Sequence, residues 1–354
     1  MLVRESPIAW LLERSNPSVR YFTLLNLLGK SEEDVEVIFS KKAIPKSSII
    51  SKIFTKQYPE GYWGDSTSPY FPKYRSSYWQ LMVLGQLGMD KGDERVKRAC
   101  DNIFHFQLDG GGFPCYSLEQ VANGRVESHT SPFTTSLDKE NGRQDLTERA
   151  DNILFEHQYS CLTGNMLAAL IRMGYEDDPR VKKGLLWLVD VQNKDGGWLC
   201  PYWRAHRYDK HGCFYGTVCS LEAFSEVPGN KLTKGMKHAV ERSSEFLLMH
   251  HLYRADHHGY RIINKSWLRL EFPWFYRYNI LRGLDILTKI GYMEDERISD
   301  AVQVLLQKRR SDGKWTLESA PIGRMQANLE AKGKPSKWVT LIALRVLKRI
   351  SAAI

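Results

Sequence analysis

Four side chains in this sequence have the chemistry of a metal site. Cys161, Cys200, His211 and Cys213 offer three thiols and an imidazole, the donor types that favour tetrahedral zinc. They lie far apart in sequence, so they make one site only if the fold draws their segments together. The competing reading is packing, because a free Cys behaves as a small buried hydrophobe. Two other stretches interleave cations with aromatics. "KYRSSYW" holds Lys73, Arg75, Tyr78 and Trp79, and "RLEFPWFYRYNILR" holds Arg269, Tyr276, Arg277, Tyr278 and Arg282. Guanidinium forks match phosphate oxygens, while the same residues at a surface would simply stack. Glu222 and Asp285 are carboxylates within otherwise apolar helical runs, able to donate a proton or to sit in an ion pair. Asp285 follows Arg282 by three residues, the spacing of a same-face pair. If Phe275 starts a helix, Phe275, Tyr278, Arg282 and Asp285 share one stripe.

The elements that must position these groups come from a repeat. Gly-aromatic turns recur at "YPEGYWG" (Trp63), "QLDGGGF" (Phe113), "KDGGW" (Trp198), "HHGY" (Tyr260) and "RRSDGKW" (Trp315). The widest gap between them contains a polar insertion at about 117–149, and without it the period is roughly fifty to sixty residues, a recurrence that marks a repeat architecture. A second marker keeps step with the first: "GDERV", "DDPRV" and "EDERI" put Asp93, Asp178 and Asp295 where a helix N-cap is wanted. The pair Asp177 and Asp178 is therefore a helix start and not a magnesium site.

Each repeat reads as two helices. The first helices, among them "CLTGNMLAALIRMG" and "FYGTVCSLEAFSEV", are apolar or small nearly all round. The second helices, such as "DPRVKKGLLWLVDVQ", carry a charged face. An inner ring inside an outer ring buries both kinds, which predicts an all-α fold: one closed α/α toroid over residues 1–354, with about six inner and five or six outer helices. "PIAWLLERS" is the piece expected to close it. In such a ring the starts of successive inner helices share a rim, which would bring Cys161, Cys200, His211 and Cys213 onto one zinc ion. The 117–149 insertion would be a loop over that rim, gating the cavity.

Composition narrows the partners. The formal charge of +9 favours anionic partners, but no basic run is dense enough for a nucleic-acid partner to be expected. The N-terminal apolar stretch is broken by Arg and Glu, so neither a signal peptide nor a membrane span is expected. The expectation is a cytoplasmic protein, with peripheral contact to acidic lipid compatible with its charge. Six cysteines in a reducing compartment then read as metal ligands or core residues and not as disulfides.

"QNKDGGW", "QLDGGGF" and "RRSDGKW" resemble the Gln-Trp repeat of squalene and oxidosqualene cyclases and of protein prenyltransferase β subunits. The whole chain, particularly "SPYFPKYRSSYWQLMVLGQLG", "DGGWLCPYW" and "PSKWVTLIALRVLK", is similar to a bacterial family of prenyltransferase or squalene-oxidase repeat proteins. The resemblance implies the α/α toroid. It also implies an isoprenoid or prenyl diphosphate ligand, which Lys73, Arg75, Tyr78, Trp79, Arg269, Tyr278 and Arg282 would bind. Class II cyclases of this kind protonate their substrate from an Asp-x-Asp-Asp motif that is missing here, which leaves Asp285 or Glu222 as substitute acids. Protein prenyltransferases hold catalytic zinc with an Asp-x-Cys pair and a later His. "DKHGCFYGT" has His211 in place of that Asp, and "FPWFYRYN" has no His. Three functions follow: a terpenoid cyclase or prenyltransferase-like enzyme, a noncatalytic lipid- or protein-binding toroid, and a carbohydrate-active toroid, the last needing inner carboxylate pairs that are scarce here.

Overall fold

The helices Glu94–Phe104 and Pro179–Asp190 and the 3-10 turn Glu296–Ile298 that leads into the helix Ser299–Gln307 start in the same way. Asp93, Asp178 and Asp295 each accept a hydrogen bond from the main-chain N–H two residues on, of Arg95, Arg180 and Arg297, at 2.9, 2.8 and 2.9 Å. Each carboxylate also pairs with the guanidinium of that same arginine, at 2.6, 2.7 and 2.8 Å. The cap therefore satisfies an orphan amide and fixes a counterion at once. The preceding helices end at Gly88, Gly174 and Gly291, all at positive φ. The next N–H, of Met89, Tyr175 and Tyr292, reaches back to Leu84, Leu170 and Leu287 at 3.0 Å in each case, the left-handed helix stop that glycine makes without steric cost.

The computed structural model describes residues 6–122, 157–200 and 209–353. The helices are α1 (Ile8–Leu11), α2 (Pro17–Phe22), α3 (Val35–Ala43), α4 (Ser48–Phe54), α5 (Ser77–Gln86), α6 (Glu94–Phe104), α7 (Leu118–Ala122), α8 (Ser160–Arg172), α9 (Pro179–Asp190), α10 (Phe214–Glu226), α11 (Lys234–Met249), α12 (Ile280–Lys289), α13 (Ser299–Gln307) and α14 (Lys337–Ser351). Among the described residues strand structure is confined to two short antiparallel pairs and four single bridges. β1 (Arg254–Ala255) pairs with β2 (Arg261–Ile262), and β3 (Trp315–Thr316) with β4 (Pro335–Ser336). The fold is mostly helical. Of the insertion expected at 117–149, residues 123–149 lie outside the described residues, and with them the loop expected to gate the rim.

The chain divides into two compact units, one of Met1–Lys56, Val83–Met89 and Ser244–Ile354, the other of Gln57–Met82 and Asp90–Ser243. In the second unit every residue of α8 from Leu162 to Ile171 is buried, as is every residue of α10 from Gly216 to Phe224. The two helices touch backbone to backbone: a Cβ on Gly164 would lie 2.5 Å from the Cys219 carbonyl. Helix α9 instead buries Val181, Gly184, Leu185 and Leu188, the single stripe of an outward-facing amphipathic helix. In the first unit α14 packs on α12 and on the N-terminal segment. Trp10 of α1 lies under the ammonium groups of Lys314 and Lys337 at 4.8 and 5.3 Å. Lys337 pairs with Glu13 at 2.7 Å, and Arg345 donates to Asn26 at 2.9 Å.

Four Gly-aromatic turns share one hydrogen-bond scheme. A glycine N–H donates to the carbonyl three residues back at Gly61, Gly111, Gly196 and Gly313. The aromatic N–H donates to a hydroxyl near the start of the following helix: Trp63 to Ser77 (3.0 Å), Phe113 to Thr163 (2.9 Å), Trp198 to Thr217 (3.1 Å) and Trp315 to Thr340 (3.0 Å). Gln57, Gln107 and Gln192 each bridge their own turn to a carbonyl of the next helical segment, at Arg95, Arg180 and Ala239, each at 2.9 Å. Arg309 replaces glutamine in the last copy and reaches Gly313 at 3.4 Å. "HHGY" is not a copy. Gly259 has no atom within 4 Å of a built Cβ, Tyr260 is 46 % exposed, and the segment is the connection between β1 and β2. Its Gly-aromatic spacing matches, but it lacks the contacts that define the turn.

Candidate thiol cluster and ion-paired carboxylates

The second unit carries the densest reactive chemistry. Cys161 is the second residue of α8, and Cys200 stands two residues beyond the aromatic of the Trp198 turn. The Thr217 hydroxyl fixes the Trp198 N–H, and the Cys213 N–H donates to the Trp198 carbonyl at 2.8 Å, so the segment leaving the turn is held against the start of α10. The Sγ atoms of Cys161 and Cys200 are 3.8 Å apart. Ser160 Oγ donates to the Leu199 carbonyl at 3.1 Å and lies 3.5 Å from Cys200 Sγ. The Cys161 S–H directed at Cys200 brings the Cys200 thiol down to about 7 against the opposing effect of burial, helped by Ser160 and by the first amides of α8. The same contact, together with burial, pushes the Cys161 thiol up.

The structure describes all four residues expected to bind zinc, Cys161, Cys200, His211 and Cys213. Cys161 and Cys200 come together, His211 Nδ1 faces the Gly212 carbonyl at 2.9 Å, and Cys213 stands at the N-cap position of α10 without a side-chain cap hydrogen bond. Among the described residues no three His, Cys, Asp or Glu side chains are placed to hold a metal ion. Gly212 N–H is anchored to Asp195 at 2.5 Å and Cys213 N–H to the Trp198 carbonyl, and Cys213 lies close enough to act electrostatically on Cys161. Cys115 was not among the candidates, yet it too stands two residues past a repeat aromatic, Phe113, as Cys200 does past Trp198. That shared register was the available signal. It is buried, and burial pushes its thiol up to about 12.

The two carboxylates are both paired with arginine. Glu222 of α10, buried, forms an ion pair with Arg172 of α8, which also binds Glu226 at 2.8 Å. Asp285 of α12 is held by Arg345 at 2.9 and 2.6 Å and by Arg349 at 3.0 Å, both from α14. Burial alone would raise the Asp285 carboxyl, but the two guanidinium groups outweigh it and hold the group below its ordinary value. A carboxylate kept ionised in this way has no proton to give. The expected Arg282–Asp285 pair does not form. Helix α12 starts at Ile280 and not at Phe275, with Asn279 accepting from the Arg282 N–H at 3.0 Å. The Arg282 guanidinium turns back to the carbonyls of Phe275 and Arg277 and lies 5.8 Å from the Trp274 ring centre.

The cation-aromatic stretches separate into buried aromatics and exposed charges, with Arg282 the exception as a buried guanidinium. In the second unit Tyr78 is fully buried and donates to the Pro114 carbonyl at 3.2 Å. Trp79 donates to Tyr70 at 2.6 Å and packs on the Tyr70 and Tyr74 rings. Lys73 and Arg75 are exposed; the Lys73 ammonium lies 5.5 Å from the Tyr70 ring centre. In the first unit Tyr278 is buried against Trp267, with burial pushing its phenol up, and Arg269 is exposed. Tyr78, Trp79 and Arg282 thus direct polar atoms at main-chain carbonyls, the work of structural residues.

No family model matches the sequence. Among solved structures, the chain is similar to a variant of type II terpene cyclase MstE from Scytonema in complex with geranylgeranyl dihydroxybenzoate, its substrate. The identity is 14 %, with 96 % of this chain and 88 % of that one covered and a TM-score of 0.47. A second MstE variant, in complex with the product merosterolic acid A, has 14 % identity, the same coverage and a TM-score of 0.45. A protein from Actinoplanes matches at 13 % identity over 88 % of this chain and 99 % of that one, with a TM-score of 0.31. Among the described residues no helix is long and apolar enough to cross a membrane.

Proposed function

We propose that this chain is an α/α toroid of the terpenoid cyclase and prenyltransferase kind, an enzyme acting on an isoprenoid or prenyl diphosphate. The observation that carries the reading is the turn found four times, in which an aromatic N–H is held by the Ser or Thr at the start of the next buried helix. Three of those turns have the very sequences that resemble the Gln-Trp repeat. A repeat of this kind supports a ring of buried first helices inside amphipathic second helices, with an apolar ligand as its natural guest. We assign the anionic head group of a diphosphate ligand to Lys73 and Arg75 of the second unit, whose side chains are exposed.

The noncatalytic lipid- or protein-binding toroid is favoured by one specific observation, the pairing of Asp285 with two arginines, which removes it as a proton donor. One experiment separates the two readings. The purified protein is analysed by native mass spectrometry for retained isoprenoid, then incubated with geranylgeranyl diphosphate and with a geranylgeranylated dihydroxybenzoate, and the extract is resolved by mass. A new prenylated or cyclised product supports the enzyme. Bound but unchanged lipid supports the carrier, and absence of both binding and turnover refutes each.

A further inference from the structure

We propose that Cys161 and Cys200 are a disulfide-forming pair, a thiol–disulfide exchange site that small oxidised thiols can close. The inference does not depend on the isoprenoid reading. The two Sγ atoms are 3.8 Å apart, and a bond of about 2.05 Å requires a side-chain movement on the order of 2 Å. Their surroundings differ in a useful way. Cys200 is 4 % exposed and has the Ser160 hydroxyl at 3.5 Å, at the first turn of α8, where amide groups and the helix dipole favour a thiolate. Cys161 is partly exposed, so it is the sulfur an external reagent meets first. Two of the other thiols are set apart by chemistry, while Cys213 and Cys219 act electrostatically on Cys161 and are the competitors that the test must exclude. Cys100 is buried 3.6 Å from the Met173 thioether, and burial pushes its thiol up to about 12, as it does that of Cys115.

The exchange balances with a low-molecular-weight disulfide as oxidant. Cys161 gives its proton to the Cys200 thiolate 3.8 Å away, and its Sγ attacks one sulfur of the oxidant and breaks its S–S bond; the departing thiolate takes that proton from Cys200 and leaves as a thiol. Cys200 Sγ, a thiolate once more, then attacks Cys161 Sγ and breaks the mixed disulfide. The second thiolate leaves and takes up the proton that Cys200 first released on ionising. Two cysteines are oxidised by two electrons and one disulfide is reduced to two thiols. The product ties the first turn of α8 to the segment that follows the Trp198 turn.

The test uses the full-length folded protein with oxidised glutathione. Remaining thiols are alkylated at timed intervals and the tryptic peptides are mapped by mass. The expected result is loss of two of the six thiols, one cross-linked peptide joining Cys161 to Cys200, and reversal by dithiothreitol. Its formation should be at least about tenfold faster than any other cysteine pairing. Cys200→Ser should accumulate glutathione on Cys161, and Cys161→Ser should give no internal disulfide. Both thiols staying open to alkylation in the wild-type protein, or cross-links spread evenly over other cysteines, would overturn the proposal. The wild-type map decides the matter even if a variant fails to fold by circular dichroism.

Discussion

Asp285 and Arg345 meet in a two-point ion pair, Nε to Oδ1 at 2.9 Å and Nη2 to Oδ2 at 2.6 Å, which joins α12 to α14 across sixty residues of sequence. Arg349 adds a third contact at 3.0 Å and also donates to the Asp285 main-chain carbonyl at 2.9 Å. The pair belongs to the packing of the first unit and accounts for a carboxylate inside an apolar helix.

Asp285→Asn should therefore destabilise the protein by about 3–5 kcal/mol at pH 7, because two guanidinium groups lose a buried counterion. Asp285 has its carboxyl depressed in the folded state, so its contribution is complete above the unfolded value of about 3.9 and is lost as the pH falls through the folded one. Urea midpoints of the two proteins should accordingly differ most near neutrality and approach each other in strong acid. A difference that instead grew on acidification would contradict the pairing.

At Gly196 an alanine would carry its Cβ to 2.4 Å from the Arg242 carbonyl oxygen at a φ of +89°. Gly196→Ala should cost more than the roughly 1–2 kcal/mol of a left-handed conformation alone. Gly259→Ala, with φ +66° and open space around it, should cost only that amount. Thermal melts of both variants compare the two sites directly, and equal losses would mean that "HHGY" is a packed turn after all.

Replacing Thr217 with valine removes the oxygen that accepts the Trp198 N–H at 3.1 Å and leaves a buried donor unmatched. The expected loss is about 1–3 kcal/mol. Thr163→Val and Thr340→Val should fall in the same range, because each hydroxyl has the same task in its own turn. Denaturant titration of the three variants checks the shared scheme, and a neutral result at any one would remove that turn from it.

Asp178→Ala should lower stability by about 1 kcal/mol through loss of the α9 cap, and magnesium should leave the melting temperature of the wild-type protein unchanged. An increase with magnesium that disappears in the variant would make the Asp177 and Asp178 pair a cation site and not a cap.

What the sequence determined by itself is local. The caps at Asp93, Asp178 and Asp295 and the glycine stops before them involve partners within a few residues, so chain geometry alone constrains them. The Gly-aromatic turns were legible for the same reason, and the apolar run of α8 against the single stripe of α9 separated wholly buried from half-buried helices. Tyr260 shows the limit: a two-residue pattern matched, but the packing that gives the pattern its meaning was missing.

Tertiary structure decided every contact between segments. Arg345 and not Arg282 neutralises Asp285, because α12 begins at Ile280 and its Asp285 side chain meets α14. Cys161 and Cys200 meet because the Trp198 turn is fixed by Thr217 and delivers Cys200 to the start of α8, while hydrogen bonds to Asp195 and Trp198 hold Gly212 and Cys213. Residue types announced that thiols, carboxylates and guanidinium groups were present. Which of them touch depends on where packed helices cross and how their connecting segments are hydrogen-bonded, and spacing along one chain carries no such distance.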